Sequence, residues 1–192
     1  MDETHPSLLV RLRDASDAGA WNTFVEVYGP LVFNECRRRG LQHQDAEDVT
    51  QRVFERSVRG LREFRYERER GRFRDWLGTI VRNEVNRFGQ HKARKSAAQP
   101  GDDYLEEVVA GQADPEWNDA FQERVLQVAL ERCQPHFEPD TWSAFTAVWL
   151  NNLSAPEVAQ QLNMPIDKVY VAKSRVLKRL TTVVEELCEE IP

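Results

Sequence analysis

Residues 153–180 read LSAPEVAQQLNMPIDKVYVAKSRVLKRL, and their order of residue types can be followed one at a time. Ser154 followed three places on by Glu157 is a capping box, and Pro156 suits the first turn of the helix it opens. That short helix carries Val158 and Leu162; Asn163, which tolerates a left-handed backbone, and Pro165 then mark a turn. A long helix follows from about Ile166 to Glu190, basic in its first half and acidic at its end. Val169, Val176 and Leu180 share one side of it and pack inward. Asp167, Tyr170, Val171, Ser174 and Lys178 lie on the far side, flanked by Lys168, Lys173, Arg175 and Arg179. A capped short helix, a tight turn and a longer basic helix make a helix-turn-helix, a unit that sets its second helix in the major groove and lets the first cross the backbone. Helix pairs of this kind also occur as plain packing units, so the rest of the chain has to decide between the two uses.

The rest of the chain is helical too, since apolar residues recur at three-to-four spacing and few stretches alternate. Ser7 can cap a short helix with Leu8, Leu9 and Leu12, and Asp17 a second with Trp21, Phe24 and Val25. Gly29-Pro30 is expected to break and restart that second helix, which then runs through Leu31, Val32 and Cys36 to a stop at Gly40. Residues 45 to about 62 carry Ala46, Val49, Val53, Phe54, Val58 and Leu61 on one side. Residues 65–71 have no apolar period and end in glycine, as an exposed charged loop does. From Phe73 to about Phe88 the stripe resumes through Trp76, Leu77, Ile80, Val81 and Val85. The expected class is all-α, with a helical bundle over 1–95, an acidic linker over 96–113 and a second helical domain over 114–192. Asp114-Pro115 caps the opening of that second domain, which continues through Trp117, Phe121, Val125 and Val128 to Cys133. Pro135 and Pro139 separate that helix from one marked by Trp142, Phe145, Val148 and Trp149.

The net charge of -6 argues, as an average, against a polyanion partner, but the charges are segregated. From Arg52 to Lys95 there are fourteen Lys/Arg against six Asp/Glu, a balance of +8; Asp102 to Glu123 holds eight acids and no base. From Pro165 to Leu180 there are five bases and one acid, Asp167. Two basic islands separated by an acidic strip suit two contacts with one extended polyanion. In the first island, Arg65 to Arg74 interleaves Arg with Tyr66 and Phe73, a mixture that unstacked bases favour; Phe64 and Trp76 read instead as core. Cys36, Cys133 and Cys188 are odd in number and dispersed, and His5, His43, His91 and His136 form no i, i+4 pair, so neither a disulfide framework nor a metal site is expected. There is no Gly-rich phosphate loop, no nucleophile beside a base and no paired carboxylates in an enzyme setting; no catalytic residue, cofactor or enzymatic activity is expected. No apolar run is long enough to cross a bilayer and the N-terminus begins with acids, so a cytoplasmic protein is expected.

The order of these pieces resembles the sigma-70 family of RNA polymerase sigma factors, in its extracytoplasmic-function (ECF) subgroup. Asp45-Ala46-Glu47-Asp48-Val49-Thr50-Gln51-Arg52-Val53-Phe54 is similar to the family's region 2.2. Phe73-Arg74-Asp75-Trp76-Leu77-Gly78-Thr79-Ile80-Val81-Arg82-Asn83-Glu84 is similar to regions 2.3 to 2.4, and Leu153 to Ala159 with Leu162-Asn163-Met164 to region 4. Only a linker separates regions 2 and 4, which is the ECF arrangement. The resemblance implies a subunit that binds core polymerase, through the β′ clamp helices and the β flap, and directs it to promoter DNA; an anti-sigma factor or another regulator is a further partner of such proteins. Asp45, Asp48 and Gln51 would face the clamp, with Val49 and Val53 inward. Arg65, Tyr66, Arg72, Arg74, Arg82, Asn83, Asn86 and Arg87 would serve the minus-ten element, and Lys168, Tyr170, Val171, Lys173, Ser174, Arg175 and Lys178 the minus-thirty-five element. Promoter melting would be driven by binding energy alone, because unstacking costs a few kcal/mol per step, roughly what stacking and phosphate contacts supply. Three departures stand out, one of them Pro165 in place of the family's usual capping Ser. Arg52 occupies a position where the family often has an acid, and the family's Thr-Val-Lys-Ser-Arg-Leu aligns with residues 168–173 or, nearly one turn later, with Ala172-Lys173-Ser174-Arg175-Val176. Without the resemblance, the residues also allow a helix-turn-helix regulator that acts apart from polymerase, or an adaptor that sequesters a partner.

Overall fold

The structure, a computed structural model, describes residues 8–14, 16–63, 73–97 and 114–190. Every regular element among them is helical: α1 (Leu8–Arg11), α2 (Ala18–Arg38), α3 (His43–Glu63), α4 (Phe73–Ala97), α5 (Pro115–Cys133), a 3-10 turn (Gln134–His136), α6 (Pro139–Trp149), α7 (Ala155–Gln161) and α8 (Ile166–Glu190). The all-α expectation holds. Ser7, Phe64 and the charged loop lie outside the described residues, as does the expected linker apart from Ser96 and Ala97, which end α4. That helix runs nine residues past Phe88, where the sequence suggested its end.

Two units divide the chain, one of Met1–Arg124 with Glu190–Pro192 and one of Val125–Glu189. The division falls inside α5, so residues 115–124, which the sequence placed at the opening of the second domain, lie with the first unit. In that unit α2, α3 and α4 pack on one another through the stripes read from the sequence: Phe24, Val27, Tyr28 and Leu31 from α2, Val49, Val53 and Leu61 from α3, and Phe73, Leu77, Ile80 and Val81 from α4, all buried. Phe24 sits among rings, with centroids 5.1 Å from Tyr28, 5.4 Å from Phe54 and 6.2 Å from Phe73. Each such side chain contributes about 1.5–3 kcal/mol on burial. Gly60 lets α3 and α4 approach, since a Cβ there would lie 2.7 Å from the Trp76 ring.

Gly29-Pro30 does not interrupt α2, which is continuous with Pro30 inside it. A proline in a helix interior has no N–H for the carbonyl four residues back. Here that carbonyl is Glu26 O, and the Arg124 guanidinium donates to it from Nη2 (2.9 Å) and Nε (3.3 Å). A side chain from α5 thus bonds the acceptor that Pro30 cannot serve. Arg124→Met, which keeps the aliphatic stem, is expected to cost about 1–2 kcal/mol. In a Pro30→Ala background, where the backbone supplies its own donor, the cost should shrink toward zero. A double-mutant cycle by urea unfolding checks this, and equal costs in both backgrounds would refute it.

Local signals at the helix ends read correctly. Asp17 caps α2, accepting from Ala20 N at 2.9 Å. The Arg11 guanidinium beside it, with that backbone bond, brings its carboxyl down to about 2. Arg39 and Gly40 close α2, the glycine at φ +89, a left-handed backbone that glycine adopts without strain. In the second unit, Ala144 of α6, Ala155 and Val158 of α7, and Val169 and Ala172 of α8 form one cluster, with Val148, Leu153 and Met164 against its edge.

Candidate nucleic-acid interface

The helix-turn-helix forms as its residues dictate. Ser154 and Glu157 complete the capping box: Ser154 N donates to Glu157 Oε2 at 2.8 Å, and Glu157 N to Ser154 Oγ at 3.5 Å. The hydrogen bonds from Ser154's side chain and backbone lower the Glu157 pKa. Asn163 takes φ +48 and turns the chain into α8. Along α8 the inward row is Val169, Ala172, Val176, Leu180, Val183 and Leu187, all buried. Ala172 belongs to that row as well as Val169, so both registers of the family string present the same face. Asp167, Lys168, Tyr170, Val171, Ser174, Arg175 and Lys178 are exposed, and Lys173 is half-buried at the edge of the inward row. Of the seven minus-thirty-five candidates, six therefore stand together in solvent.

The minus-ten candidates are more dispersed. Arg65, Tyr66 and Arg72 lie outside the described residues. Phe73, grouped with them in the sequence, is wholly buried in the core, and Trp76 is core as expected. The start of α5 packs on one flank of α4. Trp117 Nε1 donates to Arg74 O at 2.8 Å, and the indole lies where a Cβ on Gly78 would come within 3.0 Å of it. The Arg74 guanidinium stands 5.2 Å from the Phe121 ring centroid. Arg38 pairs with Glu116 and, at 3.8 Å, with Asp114, which also lies 3.6 Å from Arg39. Arg82 is half-buried in the crevice that Asp75, Asp114 and Trp117 help to line. The other flank of α4 is a polar row at helical spacing: Thr79 and Asn83 half-buried, Asn86 and Gln90 exposed. Arg87, half-buried, lies 3.9 Å from Glu84, itself bonded by Arg56 Nη1 at 2.6 Å.

On α3, Val49 and Val53 are buried while Asp48 and Gln51 are exposed, as expected. Asp45 is half-buried and accepts from Lys92 Nζ at 3.1 Å. Beside this face a groove of about 490 Å³ runs between α2 and α3, floored by Trp21, Val25, Phe33, Phe54 and Val58 and edged by Glu47, Gln51 and Glu55. Arg52 is exposed, its guanidinium carbon 6.0 Å from the Phe88 ring centroid.

Residues 24–95, which hold most of α2, all of α3 and nearly all of α4, match the family model of sigma-70 region 2. Over 158 residues the chain is 25% identical to the ECF RNA polymerase sigma factor SigE of Mycolicibacterium smegmatis, covering 81% of this chain and 58% of that one. Residues 24–95 thus form a sigma-70 region 2. The chain spans less than two thirds of the length of that relative. Sequence reasoning passed over Glu47 and Glu55, which share a row of α3 with Gln51, and Thr79 and Gln90 beside Asn83 and Asn86; the i, i+4 and i, i+3 spacing that groups them was available. It also passed over the seating of Trp117 and Phe121 on region 2, for which only their i, i+4 spacing gave a hint. No helix among the described residues is long and apolar enough to cross a membrane.

Proposed function

We propose that this chain is a sigma-70 family member, a promoter-specificity subunit of bacterial RNA polymerase of the ECF kind, acting in the cytoplasm and without catalysis of its own. The observation that carries the reading is the match of residues 24–95 to region 2, with an exposed acidic row on α3 and a polar row on α4 in that same stretch. Region 2.2 docks on the β′ clamp helices through Asp48, Gln51, Glu47 and Glu55, carboxylates and amides suited to a basic partner, while the neighbouring groove takes its apolar side chains. Asp45, held by Lys92, shapes the edge of that face. Asn83 and Asn86, with Thr79 and Gln90, meet the minus-ten strand, since amides bond base edges in two directions. Arg65, Tyr66, Arg72, Arg74, Arg82 and Arg87 supply charge and stacking there; Arg74 reaches DNA by leaving Phe121. Region 4 lays α8 in the minus-thirty-five major groove, where Lys168, Lys173, Arg175 and Lys178 hold phosphates and Tyr170, Val171 and Ser174 face the bases. The β flap is the partner of region 4, and an anti-sigma factor would act by covering one of these faces.

The decisive experiment adds the purified chain to core polymerase on promoter fragments selected from random DNA. Run-off transcripts that start at one position and require the chain are expected. Failure to associate with core, or transcripts independent of the chain, would refute the proposal.

A further inference from the structure

We propose that Val171 reads the C5-methyl group of a thymine in the upstream promoter element, an inference that rests on the minus-thirty-five role proposed for α8. The inward row of α8 leaves Asp167, Val171, Ser174 and Lys178 on the opposite side, at the i, i+4, i+7, i+11 spacing of a single outward line. Three of these are polar or charged. Val171, second in the line, is apolar and 47% exposed, with Tyr170 at 55% and Ile166 at 37% next to the line. Single exposed apolar residues are ordinary on protein surfaces. This one stands within the face that a recognition helix turns toward the groove. Packing does not account for it, because half of the side chain touches nothing. Helix propensity does not either, because a β-branched residue is a poorer helix former than the lysine, arginine, glutamate or alanine that surface positions allow.

The charges around it say what it faces. Lys178 within the line and Lys168 and Arg175 beside it are exposed, so an anionic backbone bounds the surface on which Val171 rests. Within a major groove the base edges offer hydrogen-bond donors, acceptors and one apolar group, the thymine methyl. A valine pressed against a donor or acceptor would strip its water and return no hydrogen bond, a net cost. Pressed against the methyl, it removes apolar surface from water on both sides. Val171 thus favours thymine at one position and disfavours the other three bases there, through desolvation and without a hydrogen bond of its own.

The test uses the full chain with core polymerase on a promoter fragment whose upstream element has been selected from random sequence and located by footprinting. Each thymine of the protected upstream element is replaced in turn by deoxyuridine, which removes only the methyl. One replacement is expected to weaken binding about fourfold, the factor that corresponds to burial of one methyl-sized group. In the Val171→Ala protein the same replacement should have no effect, while the dependence of binding on salt stays as it was, because no phosphate contact is lost. The exposed position makes alanine harmless to the fold, which circular dichroism verifies. If every deoxyuridine replacement is neutral, or Val171→Ala retains the same sensitivity, thymine reading by Val171 is wrong while the minus-thirty-five role stands. If selection enriches no upstream element at all, the minus-thirty-five role itself is wrong, and the inference with it.

Discussion

Arg56→Met destabilises the first unit by about 3 kcal/mol, and Arg56→Met with Glu84→Leu restores most of the loss. Glu84 lies in the inward row of α4, 5% exposed, between positions occupied by Ile80, Val81 and Val85. A carboxylate taken out of water there is tolerated because Arg56 of α3 donates to it at 2.6 Å. Removing one partner of a buried pair leaves an uncompensated charge, at a cost of about 3–5 kcal/mol, whereas replacing both by apolar groups is often neutral. The lower end of that range applies here, since Arg87 at 3.9 Å remains to offset part of the charge. Hydrogen exchange of α3 and α4 amides in the full chain measures the opening free energy of this unit apart from the other. A single variant that exchanges like the parent would show that the pair contributes no net stability. A double variant no better than the single would show that the pair does more than cancel its own charges.

The same pair shows where the sequence could be read and where it could not. Glu84 interrupts an apolar stripe, which already marks it as a charge in need of a partner, but nothing in the spacing points to Arg56, 28 residues earlier. Local features were legible for the opposite reason. The Asp17 cap, the glycine stop at Gly40, the capping box of Ser154 and Glu157, and the left-handed Asn163 each depend on a few neighbouring residues, and all appear as expected. Pro30 was misread because a proline after glycine normally restarts a helix, whereas here a donor 98 residues away, Arg124, bonds the carbonyl left bare. Phe73 was grouped with nucleic-acid contacts because it follows arginines, yet periodicity, which places it in line with Trp76, Leu77 and Ile80, was the better guide to its burial. The exposed side of α8 was legible because one helix supplies all of it. The region 2 face draws on α2, α3, α4 and the first turns of α5, and only tertiary packing decides which side of α4 Trp117 covers.

Asp48→Arg is expected to weaken association with core polymerase by at least about a hundredfold while leaving the chain as stable as before. Both halves follow from where the side chain stands. It is exposed in the second turn of α3, away from the core that Ala46 and Val49 enter, and arginine is at least as good a helix former there as aspartate. The fold therefore has no reason to notice the change. The basic clamp surface proposed as its partner does, since like charges set opposite each other cost several kcal/mol. Asp45 makes the informative contrast. Half-buried and bonded to Lys92, Asp45→Asn loses an ion pair within the chain, and on this reading its effect on core binding is the smaller of the two. Titrating each variant into labelled core polymerase, with urea unfolding alongside, separates docking from stability. Parental core affinity in Asp48→Arg would remove the acidic face of α3 from the proposed polymerase interface, whatever becomes of the DNA contacts proposed for α4 and α8.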